Sequence, residues 1–204
     1  MNNYPFSKPP QPTKTMTEIA LFGTSADPPT SGHQTILRWL SNHYDWVAVW
    51  ASDNPFKQHQ TPLEHRMMML RLVIMEIEAP RHNISLNREL SHPRSLTTVE
   101  KARAIWGDEV NLNLVIGADL IPQLPRWYNV ETLLKQVQLL IVPRFGYAID
   151  PEGLAQLEAL GGDYAIADLH APGVSSSAYR ENGDQSVVIP LVQDYIYQQQ
   201  LYAS

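Results

Sequence analysis

The stretch ALFGTSADPPTSGH, residues 20–33, runs from an apolar segment through a polar turn to the start of an amphipathic segment. The apolar residues before the turn are typical of a short buried strand. After it, Ile36, Leu37 and Leu40 recur at helical spacing and predict a helix. The turn holds two glycines, two prolines and five hydroxyl or carboxylate side chains, so it stabilises little by burial. It is therefore a candidate functional loop.

Apolar strand-like and helical segments alternate along the rest of the chain. The pattern predicts a parallel sheet with helices on both faces, that is, a single Rossmann-like, doubly wound α/β domain over residues 16–204. One helix is expected to begin with Thr61 as its N-cap, Pro62 in its first turn and Glu64 completing a capping box. Residues 1–15 are rich in proline and polar side chains, and we expect a disordered leader there.

The composition excludes several classes of protein. The chain has no cysteine, which excludes a disulfide scaffold, a cysteine nucleophile and a thiolate metal site. Its seven histidines do not have the spacing of a ligand pair, so no built-in metal site is expected. A net charge of −6 argues against a nucleic-acid partner. The sequence lacks the roughly 20 consecutive apolar residues of a membrane span. We expect a cytoplasmic protein, and we leave open whether it forms a homo-oligomer.

The loop at residues 23–32 follows the first predicted strand, which is where doubly wound folds bind ligands. A helix that starts near Gly32 or His33 presents free N–H groups and a positive dipole end to an anion. Gly23 lets the backbone approach a phosphate closely, His33 can donate a ring N–H, and Thr30 can add a hydroxyl. The alternative is a glycine- and proline-rich turn that merely connects two elements.

Two further segments carry candidate binding residues. GVSSSAYRENG, residues 173–183, offers serine hydroxyls and the forked cation of Arg180 to a phosphate. Its alternative is an ordinary serine N-cap with a solvated arginine. In VIGADLIPQLPRWYN, residues 115–129, Asp119 is placed for a ribose hydroxyl, as a helix N-cap, or for both. Trp127 can stack on a flat ring, or it can pack in the core.

These segments together resemble a known family. GTSADPPTSGH resembles the G-x-F-D-P-x-(H/T)-x-G-H signature of the nucleotidyltransferase superfamily, and GVSSSAYR resembles its I-S-S-T-x-I-R motif. The G-x-D, L-P-x-W and V-P-R-x-G stretches resemble bacterial nicotinate mononucleotide adenylyltransferases. NPFK before EHRMMML, and SLTTVE, resemble further segments of that family and bring in Lys57, Arg66 and Thr97. Two departures are Ala26, where phenylalanine is usual, and Thr30, where many members have histidine.

The resemblance implies adenylyl transfer from ATP, accompanied by Mg²⁺, to nicotinate mononucleotide. The implied reaction gives nicotinate adenine dinucleotide and pyrophosphate. Phosphopantetheine or nicotinamide mononucleotide as the acceptor, or a non-catalytic nucleotide sensor, are the alternatives. The implied catalytic residues are His33, Arg180, Thr30 and Lys57. The implied ATP-binding residues are Gly23, Thr24, Ser25, Gly32, Gly117, Asp119, Ser175, Ser176 and Ser177. The implied residues for the mononucleotide are Thr97, Thr98, Trp127 and Tyr128.

Overall fold

A computed structural model describes residues 16–53, 61–169 and 171–202, so the predicted leader at 1–15 lies outside the described residues. The strands are β1 (Thr17–Thr24), β2 (Trp46–Ala51), β3 (Ile84–Leu86), β4 (Val110–Gly117), β5 (Gln138–Val142) and β6 (Tyr164–Ile166). The α-helices are α1 (Ser31–His43), α2 (Leu63–Met75), α3 (Ser95–Trp106), α4 (Val130–Leu134), α5 (Pro151–Ala159), α6 (Ser176–Asn182) and α7 (Pro190–Gln198). The 3₁₀ segments cover Arg88–Leu90, Ala118–Arg126 and Gln185–Val187.

The described strands form one parallel sheet in the order β3-β2-β1-β4-β5-β6. This order confirms the predicted doubly wound α/β fold. The chain moves outward in one direction from β1 to β3 and in the other direction from β4 to β6. The direction reverses between β1 and β4, and the carboxyl ends of these two strands therefore border the crevice in which such folds bind ligands.

The helices divide between the two faces of the sheet. The crossovers of parallel strands are right-handed, so the helices between β1 and β3 cover one face and those between β4 and β6 cover the other. In agreement, α2 packs against α1 and α7, and α3 packs against α4. No helix in the described ranges is both long enough and apolar enough to cross a bilayer.

The core lies against the central strands, whose middle residues are buried on both faces of the sheet. Ile19, Leu21, Leu112 and Leu139 are among the large side chains that are almost fully enclosed. Burial of each such side chain contributes roughly 1.5–3 kcal/mol, which fixes the strands and the loops that follow them.

The start of α2 differs from the prediction. The helix begins at Leu63 with Pro62, not Thr61, as its N-cap, so the predicted capping box is wrong. The reason is tertiary, because the backbone of Thr61 is used elsewhere. Its N–H donates to the Asp27 carboxylate over 3.4 Å, and its carbonyl accepts from Arg66 over 2.7 Å. The helix start is therefore tied to the loop after β1.

Candidate functional site

His33 is the third residue of α1, and its ring folds back over the turn that precedes the helix. Its Nδ1 accepts a hydrogen bond from the Thr30 backbone N–H over 2.9 Å. In a neutral imidazole the other nitrogen must then carry the proton. That nitrogen, Nε2, lies 2.7 Å from Oγ1 of Thr24, the last residue of β1. The fold therefore presents the Nε2–H of His33 at the carboxyl end of the first strand.

Thr30 has a different position from the one expected. Its side chain is only 1% exposed, and Oγ1 lies 2.9 Å from Nδ1 of His33. A hydroxyl held in this way supports the ring of His33 instead of facing a ligand. The structure thus corrects the expectation of a direct phosphate contact from Thr30 and makes it the N-cap that orients His33.

The second motif docks on the first loop, although about 150 residues separate them. Ser176 Oγ donates to the Pro28 carbonyl over 2.8 Å, and the Arg180 guanidinium donates to the Asp27 carbonyl. A side chain at Gly32 would meet Val174 at 3.1 Å, so this glycine permits the close approach of the two segments. The structure therefore joins both sequence motifs in one site.

The short helix α6 confirms the serine N-cap expected from the sequence. Ser175 Oγ accepts from the Ala178 N–H over 3.2 Å, and Ser177 Oγ lies 3.2 Å from Arg180 Nη2. The helix ends at Asn182, before Gly183, whose positive φ of 65° suits a C-cap. The guanidinium of Arg180 thus contacts Ser177 within its own helix and the Asp27 carbonyl of the first loop.

Gly23 has a packing reason that the sequence did not indicate. It is paired in register with Trp50 of β2, and a Cβ at Gly23 would lie 2.5 Å from the indole ring. Glycine is thus required so that Trp50 can lie across β1. The packing against Trp50 is enough to explain a glycine at position 23, so a phosphate contact need not be invoked for it.

Arg66 supports the first loop from the protein interior, and only 2% of the residue is exposed. Its guanidinium donates to the carbonyls of Ser25, Ser52 and Thr61 over 3.0, 2.7 and 2.7 Å. Burial lowers the pKa of Arg66, and the carboxylate of Asp27 opposes that shift. Ser25 is consequently held through its backbone. Residue types alone gave no sign of this role, because all three acceptors are carbonyls.

Asp119 stands at the carboxyl end of β4, across the crevice from the first loop. Its carboxylate folds over Gly117, which leaves no room for a Cβ there, and accepts from Arg144 Nη1 over 2.9 Å. The N-cap of the following 3₁₀ segment is Gly117 itself, so the alternative of Asp119 as an N-cap is wrong. Its side chain remains partly exposed and available to a hydroxyl ligand.

The residues expected around the pyridine ring come from two elements that meet. The Arg94 guanidinium lies 4.2 Å above the ring of Tyr128 and so joins the start of α3 to the end of the 3₁₀ segment. Thr97, in the first turn of α3, and Trp127 are both half-buried. Thr98 is 2% exposed and donates to the Leu90 carbonyl over 3.0 Å. Thr98 therefore supports α3, and the expectation that it contacts a ligand is corrected.

Trp127 packs against the core, and its stacking on a flat ring stays a prediction. One part of its side chain packs against the hydrophobic core, and the rest is exposed beside Tyr128. Lys57, the remaining catalytic candidate, lies in 54–60, outside the described residues.

The chain is similar to known proteins in both sequence and fold. The profile of the family described as cytidylyltransferase-like matches residues 21–182. A Synechocystis protein named "Probable nicotinate-nucleotide adenylyltransferase" is 45% identical over 91% of this chain and 98% of its own length. A Bacillus cereus protein of the same name is 30% identical over 93% and 100%. The solved structure of Plasmodium falciparum nicotinic acid mononucleotide adenylyltransferase complexed with NaAD superposes with a TM-score of 0.79. It is 21% identical, over 91% of this chain and 97% of that one, and shares the fold.

Proposed function

The chain belongs to the cytidylyltransferase-like family and, within it, to the nicotinate-nucleotide adenylyltransferases, and from this premise we propose the reaction that its site performs. It transfers the adenylyl group of ATP to nicotinate mononucleotide, a step of NAD biosynthesis. The observation that carries the proposal is the docking of Ser176 and Arg180 on the loop that positions His33. This arrangement concentrates hydrogen-bond donors where the phosphates of ATP would lie.

The reaction requires no nucleophile from the protein. An ionised phosphate oxygen of the mononucleotide attacks the α-phosphorus of ATP in line. A new P–O bond forms at the α-phosphorus, the bond to the bridging oxygen of the β-phosphate breaks, and pyrophosphate leaves with the electron pair. No proton has to be removed from the attacking group. Catalysis is then positioning and stabilisation of developing charge.

We assign that stabilisation to His33 and Arg180. The Nε2–H of His33, now within hydrogen-bond distance of Thr24, would turn to an oxygen of the α-phosphate when ATP binds. Arg180 supplies a fixed positive charge, and its contacts with Asp27 and Ser177 orient the guanidinium at the loop. Lys57 is proposed as a further phosphate ligand from the sequence alone.

The remaining nucleotide contacts follow from the same geometry. We propose that the α-, β- and γ-phosphates contact the backbone at Thr24, Ser25 and Gly32 and the hydroxyls of the serines in α6 and at its N-cap. The N-terminal turn of α1 adds its N–H groups and dipole to that site. Asp119, with Gly117 beneath it, is proposed to accept from the ribose hydroxyls.

We propose that Mg²⁺ takes part in the reaction as a component of the nucleotide substrate. Mg²⁺ prefers oxygen ligands and usually keeps several waters while it binds substrate phosphates. In the described ranges, no three histidine, aspartate or glutamate side chains come close enough to form a cation site of their own. The proposal is therefore that Mg²⁺ enters on the phosphates of ATP.

The acceptor site is proposed at the meeting point of α3 and the segment at 127–128. The carboxylate of nicotinate is negative, whereas the amide of nicotinamide is neutral. The guanidinium of Arg94 and the first N–H groups of α3, near Thr97, favour the negative ring substituent. Trp127 and Tyr128 offer flat faces on which the pyridine can stack. We therefore propose that the acceptor carries nicotinate and not nicotinamide, and that the protein acts in the cytoplasm.

Pyrophosphate release tests the proposed function. ATP and Mg²⁺ are supplied with nicotinate mononucleotide, nicotinamide mononucleotide or phosphopantetheine in separate reactions. We expect release with nicotinate mononucleotide at least about tenfold faster than with either alternative, which corresponds to about 1.4 kcal/mol of discrimination. A faster reaction with another acceptor would overturn the acceptor site but keep the phosphate chemistry. No release with any acceptor would favour a non-catalytic nucleotide sensor.

Replacing Trp127 with alanine is expected to raise KM for nicotinate mononucleotide by about tenfold, because a stacked aromatic contact contributes about 0.5–1.5 kcal/mol beyond the area that it buries. KM for ATP should change less than about twofold, since Trp127 is proposed to contact the mononucleotide and not ATP. Steady-state kinetics with each substrate varied in turn measure both effects. Trp106→Ala is the matched control: this tryptophan is also half-buried but lies at the far end of α3. A selective rise in KM for ATP would reassign Trp127 to the nucleotide.

A further inference from the structure

The last described residues of the chain return to the first loop. After α7 ends at Gln198, Tyr202 takes a positive φ of 59°, and its hydroxyl donates to Asp27 Oδ1 over 2.6 Å. Its ring meets the ring of Tyr179 edge-on, with centroids 5.6 Å apart and planes at 74°. Tyr179 precedes Arg180 in α6, so Tyr202 contacts both halves of the proposed phosphate site.

Asp27 is the residue on which these segments converge. It is 4% exposed, and its carboxylate receives the Tyr202 hydroxyl at one oxygen and the Thr61 N–H, over 3.4 Å, at the other. Its carbonyl receives the guanidinium of Arg180. The side chain of Asp27 thus faces the carboxyl end of the chain, while its backbone faces a residue proposed to bind phosphate.

The hydrogen bond between Tyr202 and Asp27 belongs to a class that is stronger than hydrogen bonds between neutral groups. A hydroxyl that donates to a buried carboxylate forms a short, charge-assisted hydrogen bond, and its loss leaves a buried charge with too few donors. Burial, followed by the hydrogen bond to Asp27, raises the pKa of the Tyr202 hydroxyl. The hydroxyl therefore stays protonated and keeps donating at neutral pH.

We propose that Tyr202 is a positioning residue for ATP binding: by holding the Asp27 carboxylate, it fixes the Asp27 carbonyl and thereby the guanidinium of Arg180. The inference rests on the proposed function in taking ATP as the ligand of the first loop. Tyr202, near the carboxyl-terminal end of the chain, thereby takes part in nucleotide binding. It acts through Asp27 and does not touch the nucleotide itself.

The test replaces Tyr202 with phenylalanine, which keeps the ring against Tyr179 and removes the donor. Calorimetry with α,β-methylene ATP and Mg²⁺ measures nucleotide binding without any acceptor. We expect Kd for this analogue, and KM for ATP, to rise about 5–20-fold, the effect of part of a hydrogen bond to a charged group. KM for nicotinate mononucleotide should stay within about twofold, because its site lies at α3. Tyr197→Phe is the matched control, because this tyrosine of α7 is 86% exposed.

A second comparison separates positioning from a general loss of stability. If Tyr202 acts through Arg180, then Tyr202→Phe should not weaken analogue binding further in an Arg180→Ala background. Equal weakening in both backgrounds, or a Kd equal to that of Tyr197→Phe, would overturn the inference. Because the calorimetric measurement needs no acceptor, weaker binding by Tyr202→Phe would support the inference even if the wild type released no pyrophosphate. A wild type that releases no pyrophosphate would instead count against the proposed function.

Discussion

Replacing His33 with alanine is expected to lower kcat for adenylyl transfer by about 10²–10³, the usual effect of removing one donor from a charge-stabilising site. The reason lies in the hydrogen bond from the Thr30 N–H, which leaves the proton on Nε2 and presents it at the end of β1. Alanine has no donor to replace it. The rate of pyrophosphate release at saturating ATP and nicotinate mononucleotide measures the effect.

The variant also removes a contact at the start of α1, so stability must be measured beside activity. Loss of a helix-capping interaction costs about 1 kcal/mol, which lowers Tm by a few degrees and leaves the protein folded at assay temperature. His43→Ala is the control, since His43 ends the same helix on the exposed side of the molecule. It should retain kcat within about twofold of the wild type.

An unchanged kcat in His33→Ala would remove His33 from the proposed mechanism. A rise in KM for ATP with kcat unchanged would mean that His33 binds the ground state and the transition state equally. Both results would leave Arg180 as the principal source of charge stabilisation at the α-phosphate.

Replacing Arg66 with alanine is expected to lower the free energy of unfolding by about 3–5 kcal/mol, as when one partner of a buried charged network is removed. The guanidinium is almost fully enclosed and donates to three carbonyls, which would lose their donor together. Asp27 would also lose a neighbouring positive charge. Urea denaturation of the wild type and the variant gives the difference directly.

A second consequence follows for the first loop. Ala26 has a positive φ of 48°, a conformation that side chains disfavour by about 1–2 kcal/mol, and Arg66 holds the carbonyl of Ser25 immediately before it. Without Arg66 the loop can relax from this conformation. Binding of α,β-methylene ATP by the folded fraction of the variant should therefore weaken along with stability.

Arg71→Ala is the matched control for Arg66, because it lies on the same helix but is exposed. Its substitution should change the free energy of unfolding by less than about 0.5 kcal/mol. Arg66→Lys should lie between the two, since lysine keeps the charge but lacks the planar fork that spans several acceptors. If Arg66→Ala and Arg71→Ala were equally stable, the three carbonyl contacts would contribute nothing to the fold.

The sequence determined the order of strands and helices along the chain and hence the doubly wound class. The physical reason is that alternation and hydrophobic periodicity are local properties, readable within a window of a few residues. The motifs around His33 and Arg180 were also visible locally, as was the serine N-cap of α6. The start of α2 could not be predicted locally, because a contact between Thr61 and Asp27 overrides the expected cap at Thr61.

What each side chain faces depends on the tertiary structure and could not be predicted from the sequence. Thr30 and Thr98 looked like ligands in sequence, yet both have hydroxyls enclosed by the protein. Arg66 was singled out only by the family resemblance and Tyr202 looked like an ordinary tail residue, yet each reaches the first loop, across 41 and 175 residues of chain. A side chain's partners depend on which distant segments the sheet brings together, and that information is absent from the spacing of residues along the chain.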